Sequence, residues 1–303
     1  MIKIQADWLQ NAKTRFDKCY CLAKLLGKML LKKGMSAHVY EYTYSPKRRS
    51  WDTLPCGNVY ENIISRNKDV YFKYVKDCSQ FIDNFKAIPF TTSKNASEPF
   101  WSNSFFPPLD AISLYGLIAQ KKPAVYMEVG SGNSTKFARR AISDHGLDTK
   151  IISVDPYPRA EIDSLCDEVL RVCAETLPVE RFAALNSGDV LFIDNSHRSF
   201  QNSDVTFFFT EILPNLRPGV IYGMHDIFLP NDYPESWAMR FYNEQYLLMS
   251  YLLGGAGGDE ILFPVAYMSG REEVKAALQA EDEGNLPWGK DRLYGGAFWM
   301  VKA

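Results

Sequence analysis

The 303-residue sequence lacks the features that mark membrane, secreted or zinc-binding proteins. No apolar run approaches the roughly 20 residues that a membrane-spanning helix needs, and the first residues lack the apolar stretch of a signal peptide. Six cysteines occur without a Cys-x-x-Cys pair, which argues against a zinc knuckle and for reduced thiols. The net charge is −2, so no excess of positive charge favours nucleic acid. We therefore expect a cytoplasmic protein with no nucleic-acid partner and no membrane span.

Alternating strand and helix patterns run through the last two-thirds of the chain. Apolar strands are predicted at 125–129, 151–155, 168–173, 189–194 and 220–224. Helices are predicted at 109–120, 133–145, 160–166, 178–186, 201–216 and 233–253. Strict alternation implies parallel strands joined by right-handed crossovers. Two late strands, at 260–268 and 295–301, suit a closing antiparallel pair and bring the total to seven.

The first third of the chain is harder to interpret. Residues 7–34 have the pattern of a basic amphipathic helix, and residues 37–43 alternate like a short strand. A basic turn at 45–50 and a mixed helical stretch at 59–90 follow. We predict a mainly helical cap region over residues 1–105 and a second domain over residues 106–303.

The most informative stretch is a glycine turn between a strand and a helix. Gly130 and Gly132 follow the strand at 125–129, so the backbone can turn sharply and approach a ligand closely. The free N–H groups and the positive end of the next helix would then face that ligand. Asp155 ends the following strand, where a carboxylate can accept hydrogen bonds from the ribose hydroxyls of a nucleoside. A dinucleotide site usually has a third Gly or Ala, whereas Thr135 stands at that position.

The pattern Glu-x-Gly-x-Gly-x-Ser-Thr at 128–135 resembles motif I of class I S-adenosylmethionine-dependent methyltransferases. That resemblance implies a Rossmann-like, seven-stranded, mostly parallel α/β sheet. It also implies that the turn holds the methionine moiety and ribose of S-adenosylmethionine, that Asp155 accepts from the ribose, and that Glu175 lies where the family contacts adenine. The cofactor-binding residues implied in this way are Glu128, Gly130, Ser131, Gly132, Ser134, Thr135, Asp155 and Glu175.

A second group of polar residues follows two later strands. Asp194 and His197 come after the strand at 189–194, and His225 and Asp226 come after the strand at 220–224. Ligands of such sheets bind at the carboxyl ends of the strands, so these side chains should converge. In one interpretation Asp194, His225 and Asp226 hold Mg²⁺ or another divalent cation. In the other, Asp194, His197 and His225 act without a metal, with a histidine as general base.

The layout of this second group resembles catechol-type O-methyltransferases, although His225 stands where that family has an acidic residue. The stretch His-Asp-Ile-Phe-Leu-Pro-Asn-Asp-Tyr-Pro at 225–234 further resembles a little-characterised bacterial group of class I methyltransferases. The aromatic lead-in at 101–106 fits the same group, and its rings line a substrate pocket, close over the cofactor, or fill a seam beside the sheet.

Together these patterns predict an S-adenosylmethionine-dependent enzyme that methylates a hydroxyl of a small molecule, such as a sugar or a secondary metabolite. Two alternatives belong to other classes of protein. One is an NAD-dependent oxidoreductase, against which Thr135 argues. The other is a non-catalytic binding module that retains the fold. Assembly into a homo-oligomer is left open.

Overall fold

The computed structural model describes residues 45–55, 57–92, 95–158, 160–279, 287–289 and 292–303. The predicted helix at 7–34 and strand at 37–43 lie outside these residues, as do Cys19, Cys21 and Cys56. The chain divides after Pro46, and the description that follows concerns residues 47–303.

Seven strands form one sheet in the order β3-β2-β1-β4-β5-β7-β6. They are β1 (Val125–Val129), β2 (Lys150–Val154), β3 (Glu168–Leu170), β4 (Val190–Ile193), β5 (Ile221–Met224), β6 (Glu260–Pro264) and β7 (Phe298–Val301). Strands β1 to β5 pair in parallel, and β7 pairs antiparallel with both β5 and β6. This arrangement confirms the predicted Rossmann-like, mostly parallel sheet with a closing antiparallel pair.

The central strands are buried on both faces. Every residue of β4 and β5 is buried, and so are four of the five residues of β1. A parallel sheet covered by helices on both sides needs apolar residues at successive positions, not at alternate ones. The edge strand β3 is only half-buried.

The α-helices are α1 (Val59–Ile64), α2 (Lys68–Cys78), α3 (Ile82–Lys86), α4 (Pro108–Lys121), α5 (Asn133–Asp144), α6 (Glu180–Ala183), α7 (Asp204–Phe207), α8 (Leu213–Asn215), α9 (Glu244–Leu253), α10 (Val265–Met268) and α11 (Glu272–Gln279). A π-helical segment, Phe208–Ile212, joins α7 to α8. Short 3-10 helices lie at Trp51–Thr53, Ser65–Asn67, Ser79–Phe81, Asp163–Leu165, Ala174–Thr176, Glu235–Arg240 and Ala256–Gly258. None of the described helices is long and apolar enough to cross a membrane.

Helix α4 connects the N-terminal helices to the sheet. Its residues 108–119 are all buried. The Tyr74 hydroxyl of α2 donates to the carbonyl of Ser113 at 2.6 Å, and the Trp299 indole of β7 donates to the Ser113 hydroxyl at 3.0 Å. Helices α2 and α4 therefore share one core with the sheet, while the predicted boundary between residues 105 and 106 stays a prediction.

Three predicted elements differ most from the structure. Residues 160–166 contain only the 3-10 turn Asp163–Leu165 in place of a helix. The predicted helix at 233–253 breaks at Phe241, which has a φ of 55°, and α9 begins only at Glu244. The break occurs because Asn243 binds another loop, donating its N–H to the His197 carbonyl at 2.9 Å and accepting from Ser199 N–H at 2.6 Å. The predicted strand at 260–268 ends at Pro264, and α10 follows directly.

Candidate active site

The glycine turn after β1 packs directly against the residue that follows β4. Gly130 has a φ of 82°, and a Cβ atom there would lie 1.8 Å from the Asp194 carbonyl oxygen. Only glycine fits this position, because it tolerates a positive φ and has no side chain to clash. The turn is also bonded to β2, since Gly130 N–H donates to the Val154 carbonyl at 3.0 Å. Because β1 and β4 are neighbours in the sheet, the turn after β1 and Asp194 after β4 meet at the carboxyl ends of these strands.

Asp155 lies at the turn, as its place after β2 predicts. Its Oδ2 accepts from Ser131 N–H at 2.8 Å, and its Oδ1 accepts from Tyr157 N–H at 2.7 Å. The Arg171 guanidinium donates to the Asp155 carbonyl at 3.0 Å, which holds the loop after β2. Each carboxylate oxygen has a further lone pair, so Asp155 can still accept from a diol.

Glu128 is buried beneath the turn. Thr135 Oγ1 donates to one of its carboxylate oxygens, and the Tyr126 hydroxyl donates to the other at 2.9 Å. Thr135 Oγ1 also accepts from Gly132 N–H at 3.0 Å, which orders the first turn of α5. Burial raises the pKa of Glu128 to about 7, although hydrogen bonds from Ser134, Thr135 and Tyr126 oppose that rise. Glu128 therefore supports the turn from inside the protein.

The remaining predicted cofactor residues lie around the same turn or beyond β3. A Cβ atom at Gly132 would meet no atom within 4 Å, so the turn has open space on that side. Ser131 bonds to Ser153 through their hydroxyls at 2.8 Å, and Ser134 is buried. Glu175 lies exposed in the 3-10 helix Ala174–Thr176. Its predicted contact with adenine stays a prediction.

The second predicted group also converges. His197 Nε2 lies 3.3 Å from Asp194 Oδ1 and 3.4 Å from Asp226 Oδ2. His225 Nδ1 lies 3.3 Å from the same Asp194 oxygen and 3.6 Å from Asp226 Oδ1. The two imidazoles are almost fully buried, whereas the two carboxylates are partly exposed. We call Asp194, His197, His225 and Asp226 the four-residue cluster.

The far nitrogen of each imidazole binds a buried carboxylate. His197 Nδ1 lies 2.8 Å from Glu244 Oε2 at the start of α9, and His225 Nε2 lies 3.0 Å from Asp110 Oδ2 in α4. Asp110 also accepts from the backbone N–H groups of Gly296 at 2.9 Å and of Ala297 at 2.7 Å. These carboxylates fix the orientation of both rings. Sequence reasoning missed their role, because tertiary packing alone brings Asp110 and Glu244 to the cluster.

The charges in the four-residue cluster stabilise one another. Although burial opposes protonation, the carboxylates around His197 and His225 hold the pKa of both imidazoles well above the usual value. Although burial favours the neutral acid, the two imidazoles hold the pKa of Asp194 well below its usual range. His197 and Asp226 both have positive φ values, 59° and 57°, which is a costly conformation for residues other than glycine. The fold therefore maintains local backbone strain at this cluster.

Aromatic residues surround one side of the cluster. The Tyr242 ring lies 4.6 Å from the His197 ring, and Tyr233 and Trp237 lie behind it. The aromatic residues at 101–106 do not all face such a site. Trp101 and Phe106 are buried and fill the seam beside the sheet, and only Phe105 is exposed.

Among the residues that the structure describes, no three His, Cys, Asp or Glu side chains have the arrangement of a metal site. The predicted divalent cation is therefore not supported, although Asp194, His225 and Asp226 do come together. In this structure the carboxylates face His197 and His225, and they raise the pKa of both imidazoles.

The fold brings a carboxylate to the glycine turn and a polar cluster to the ends of β4 and β5, at the edge of the sheet where α/β folds bind their ligands. Residues 127–227 match the family model described as a methyltransferase domain. The matched part of the chain is therefore similar to a methyltransferase domain, and it contains both the turn and the four-residue cluster. No curated protein matches the chain.

Several solved structures are similar to the chain. The S-adenosylhomocysteine-bound methyltransferase PaMTH1 of Podospora anserina is 13% identical, with 64% of this chain and 77% of that chain covered and a TM-score of 0.39. An O-methyltransferase from Bacillus cereus is 15% identical, with 81% and 96% covered and a TM-score of 0.38. TomG, an O-methyltransferase from Streptomyces achromogenes, is 13% identical, with 81% and 94% covered and a TM-score of 0.34.

Proposed function

We propose that the enzyme transfers the methyl group of S-adenosylmethionine to a hydroxyl of a small molecule. The observation that supports this proposal is the contact between the glycine turn and Asp194, because a cofactor held at the turn would lie beside the four-residue cluster. A methyl acceptor bound at the cluster would lie next to the sulfonium. Methyl transfer is an in-line displacement, so holding the two reactants in line lowers the barrier.

In this proposal the turn residues hold the methionine part of the cofactor. The N–H groups at the start of α5 and the hydroxyl of Ser131 face its polar atoms, and Gly132 leaves room for its backbone approach. Asp155 accepts from the ribose hydroxyls, and Glu175 lies towards the adenine. Ser134 and Thr135 fix the turn by donating to Glu128.

The acceptor hydroxyl donates to Asp194 or Asp226, the partly exposed carboxylates of the cluster. The hydroxyl oxygen forms a bond to the methyl carbon, the carbon–sulfur bond breaks, and the sulfur keeps the electron pair as a neutral thioether. The methylated oxygen then carries a positive charge and is strongly acidic, so even a weakly basic carboxylate takes its proton. The surrounding carboxylates raise the pKa of His197 and His225, so in this proposal the two imidazoles position the carboxylates and a carboxylate acts as the base.

A divalent cation at the cluster is the second candidate for activating the hydroxyl. The observation in its favour is that a buried carboxylate binds the far nitrogen of each imidazole, as is usual for metal-ligating histidines. Asp194, His225 and Asp226, together with His197, would hold the ion. Two imidazoles favour Mn²⁺, Fe²⁺ or Zn²⁺ over Mg²⁺, and such an ion lowers the pKa of a bound hydroxyl.

The proposal is tested first by cofactor binding. Mass spectrometry of the purified protein should detect S-adenosylhomocysteine, and calorimetry should show that it binds while NAD does not. Binding of NAD alone would overturn the proposal. With an acceptor found by screening hydroxylated compounds, turnover is then measured after chelation and after adding Mn²⁺, Zn²⁺ or Mg²⁺. If turnover survives chelation, a carboxylate takes the proton of the acceptor hydroxyl. If chelation abolishes turnover and Mn²⁺ or Zn²⁺ restores it, a divalent cation activates the hydroxyl.

A further inference from the structure

A cavity of about 580 Å³ lies beside the loop that follows the four-residue cluster. Lys47, Arg48 and Arg49 line one side, and Pro230, Asn231 and Glu235 line another. We call it the basic cavity. Its lining belongs to two segments that are far apart in sequence, a basic turn and the loop after β5, so the fold itself brings them together.

Specific bonds hold the walls of the basic cavity in place. Arg49 N–H donates to Asp232 Oδ2 at 2.8 Å, and Asp232 is 4% exposed. The Asn58 amide donates to Asp52 Oδ1 at 3.1 Å and to the Pro230 carbonyl at 3.3 Å. Trp51 packs edge-on against Tyr60 at a ring distance of 5.5 Å. These contacts fix the backbone of the segments that line the cavity.

The three cations of the basic cavity are available to a ligand. Lys47, Arg48 and Arg49 are exposed, and none forms an ion pair with a residue that the structure describes. Asp52 and Glu235 also line the cavity, so the lining carries one net positive charge, three cations against two carboxylates. Adjacent guanidinium groups suit an oxyanion, because each presents paired N–H donors in a fixed plane. The carboxylates and the Asn231 amide suit neighbouring hydroxyl groups.

The basic cavity and the cluster are joined by one short loop. Asp226 and Pro230 are four residues apart in the same loop, so their Cα atoms lie at most about 14 Å apart. We infer that the basic cavity binds an oxyanion group, phosphate or carboxylate, of the methyl acceptor. This inference rests on the proposed function and narrows the acceptor to a hydroxylated small molecule that carries a negative charge.

The experiment uses Trp51 as a reporter, because its ring lines the basic cavity. The full chain is labelled with 5-fluorotryptophan, and the Trp51 fluorine resonance is assigned with Trp51→Phe. Inorganic phosphate and acetate are titrated separately, with sodium chloride at the same ionic strength as a blank. We expect a saturable shift of the Trp51 resonance with at least one of the two anions, and the tighter of them identifies the oxyanion. The inference would be overturned if phosphate and acetate both shifted the Trp51 resonance no more than sodium chloride does.

Two variants and one matched control locate the binding. Arg48→Gln and Arg49→Gln should each weaken anion binding at least fivefold, and the Arg49 N–H bond to Asp232 survives because it is made by the backbone. Arg66→Gln removes an exposed cation outside the cavity and should leave the affinity unchanged. An equal effect in all three variants would reduce the binding to general charge attraction and refute the site.

Calorimetry with S-adenosylhomocysteine on the same samples separates the two proposals. Normal cofactor binding without a saturable Trp51 shift refutes the basic cavity as a site and leaves the methyltransferase proposal intact. A saturable anion shift without cofactor binding refutes the proposed function and shows an anion site with another role.

Discussion

The backbone N–H of Ser131 donates to the Asp155 carboxylate at 2.8 Å, joining the first turn after β1 to the end of β2. This bond keeps Asp155 at the mouth of the proposed cofactor site and neutralises part of its charge with a backbone dipole. A charged acceptor held in this way loses little entropy when a ribose arrives, since its position is already set.

Replacing Asp155 should weaken the cofactor complex without unfolding the protein. Asp155→Ala leaves the ribose hydroxyls without their acceptor, which we expect to cost about 1–3 kcal/mol of binding free energy. Calorimetric titration with S-adenosylhomocysteine measures this change. Asp148→Ala is the matched control, because Asp148 is exposed before the opposite end of β2. Unchanged affinity in Asp155→Ala would remove Asp155 from the cofactor site.

The two glycines of the turn should respond differently to alanine. Gly130→Ala should lower the free energy of unfolding by about 2–5 kcal/mol, because it combines a positive φ with a clash on the Asp194 carbonyl. Gly132→Ala meets no protein atom within 4 Å, so its stability should change by no more than about 1 kcal/mol. Its S-adenosylhomocysteine affinity should nevertheless fall about tenfold, or about 1.4 kcal/mol. Denaturant unfolding and calorimetry check the pair, and normal affinity in Gly132→Ala would contradict the proposed approach of the ligand.

Glu244 should act on turnover through His197. Glu244→Ala removes the carboxylate that lies 2.8 Å from His197 Nδ1, and we expect turnover to fall about 10–100-fold. Glu244→Gln keeps an acceptor oxygen and should restore part of the loss. Cofactor affinity should stay within about twofold of the wild-type value in both variants, because Glu244 lies outside the turn. Glu211→Gln, an exposed change, is the control. Equal loss of cofactor binding and turnover would indicate a general structural defect.

Glu128 should make the protein less stable as the pH rises. Burial raises its folded-state pKa from 4.5 to about 7, so the folded protein binds the proton more tightly than the unfolded chain. The favourable contribution is complete below about pH 4.5 and is lost as the pH rises to 7, a change of about 3 kcal/mol. Unfolding free energies of wild type and Glu128→Gln are compared across this range, because the difference isolates Glu128 from the histidines. Parallel pH curves for the two proteins would contradict the shift.

The motifs identified the turn residues because their roles depend on local geometry. A strand, two glycines and a helix start are encoded within about ten consecutive residues, and Asp155 follows from the length of one βα unit. The boundaries of less regular segments were harder to predict. The break near Phe241 and Asn243 depends on bonds to the loop at 197–199, which no local pattern contains.

The order of residues along the chain was enough to predict the α/β sheet, the glycine turn, Asp155 and the presence of polar groups at the ends of β4 and β5. Periodicity and strand-end position are local properties, so they can be read without coordinates. Only the folded structure showed that Asp110 and Glu244 orient the two imidazoles, that Trp101 is core, and that Arg49 lies against Asp232. The three bonds join residues 47 to 183 positions apart, and packing of separate elements, not local sequence, decides which of them meet.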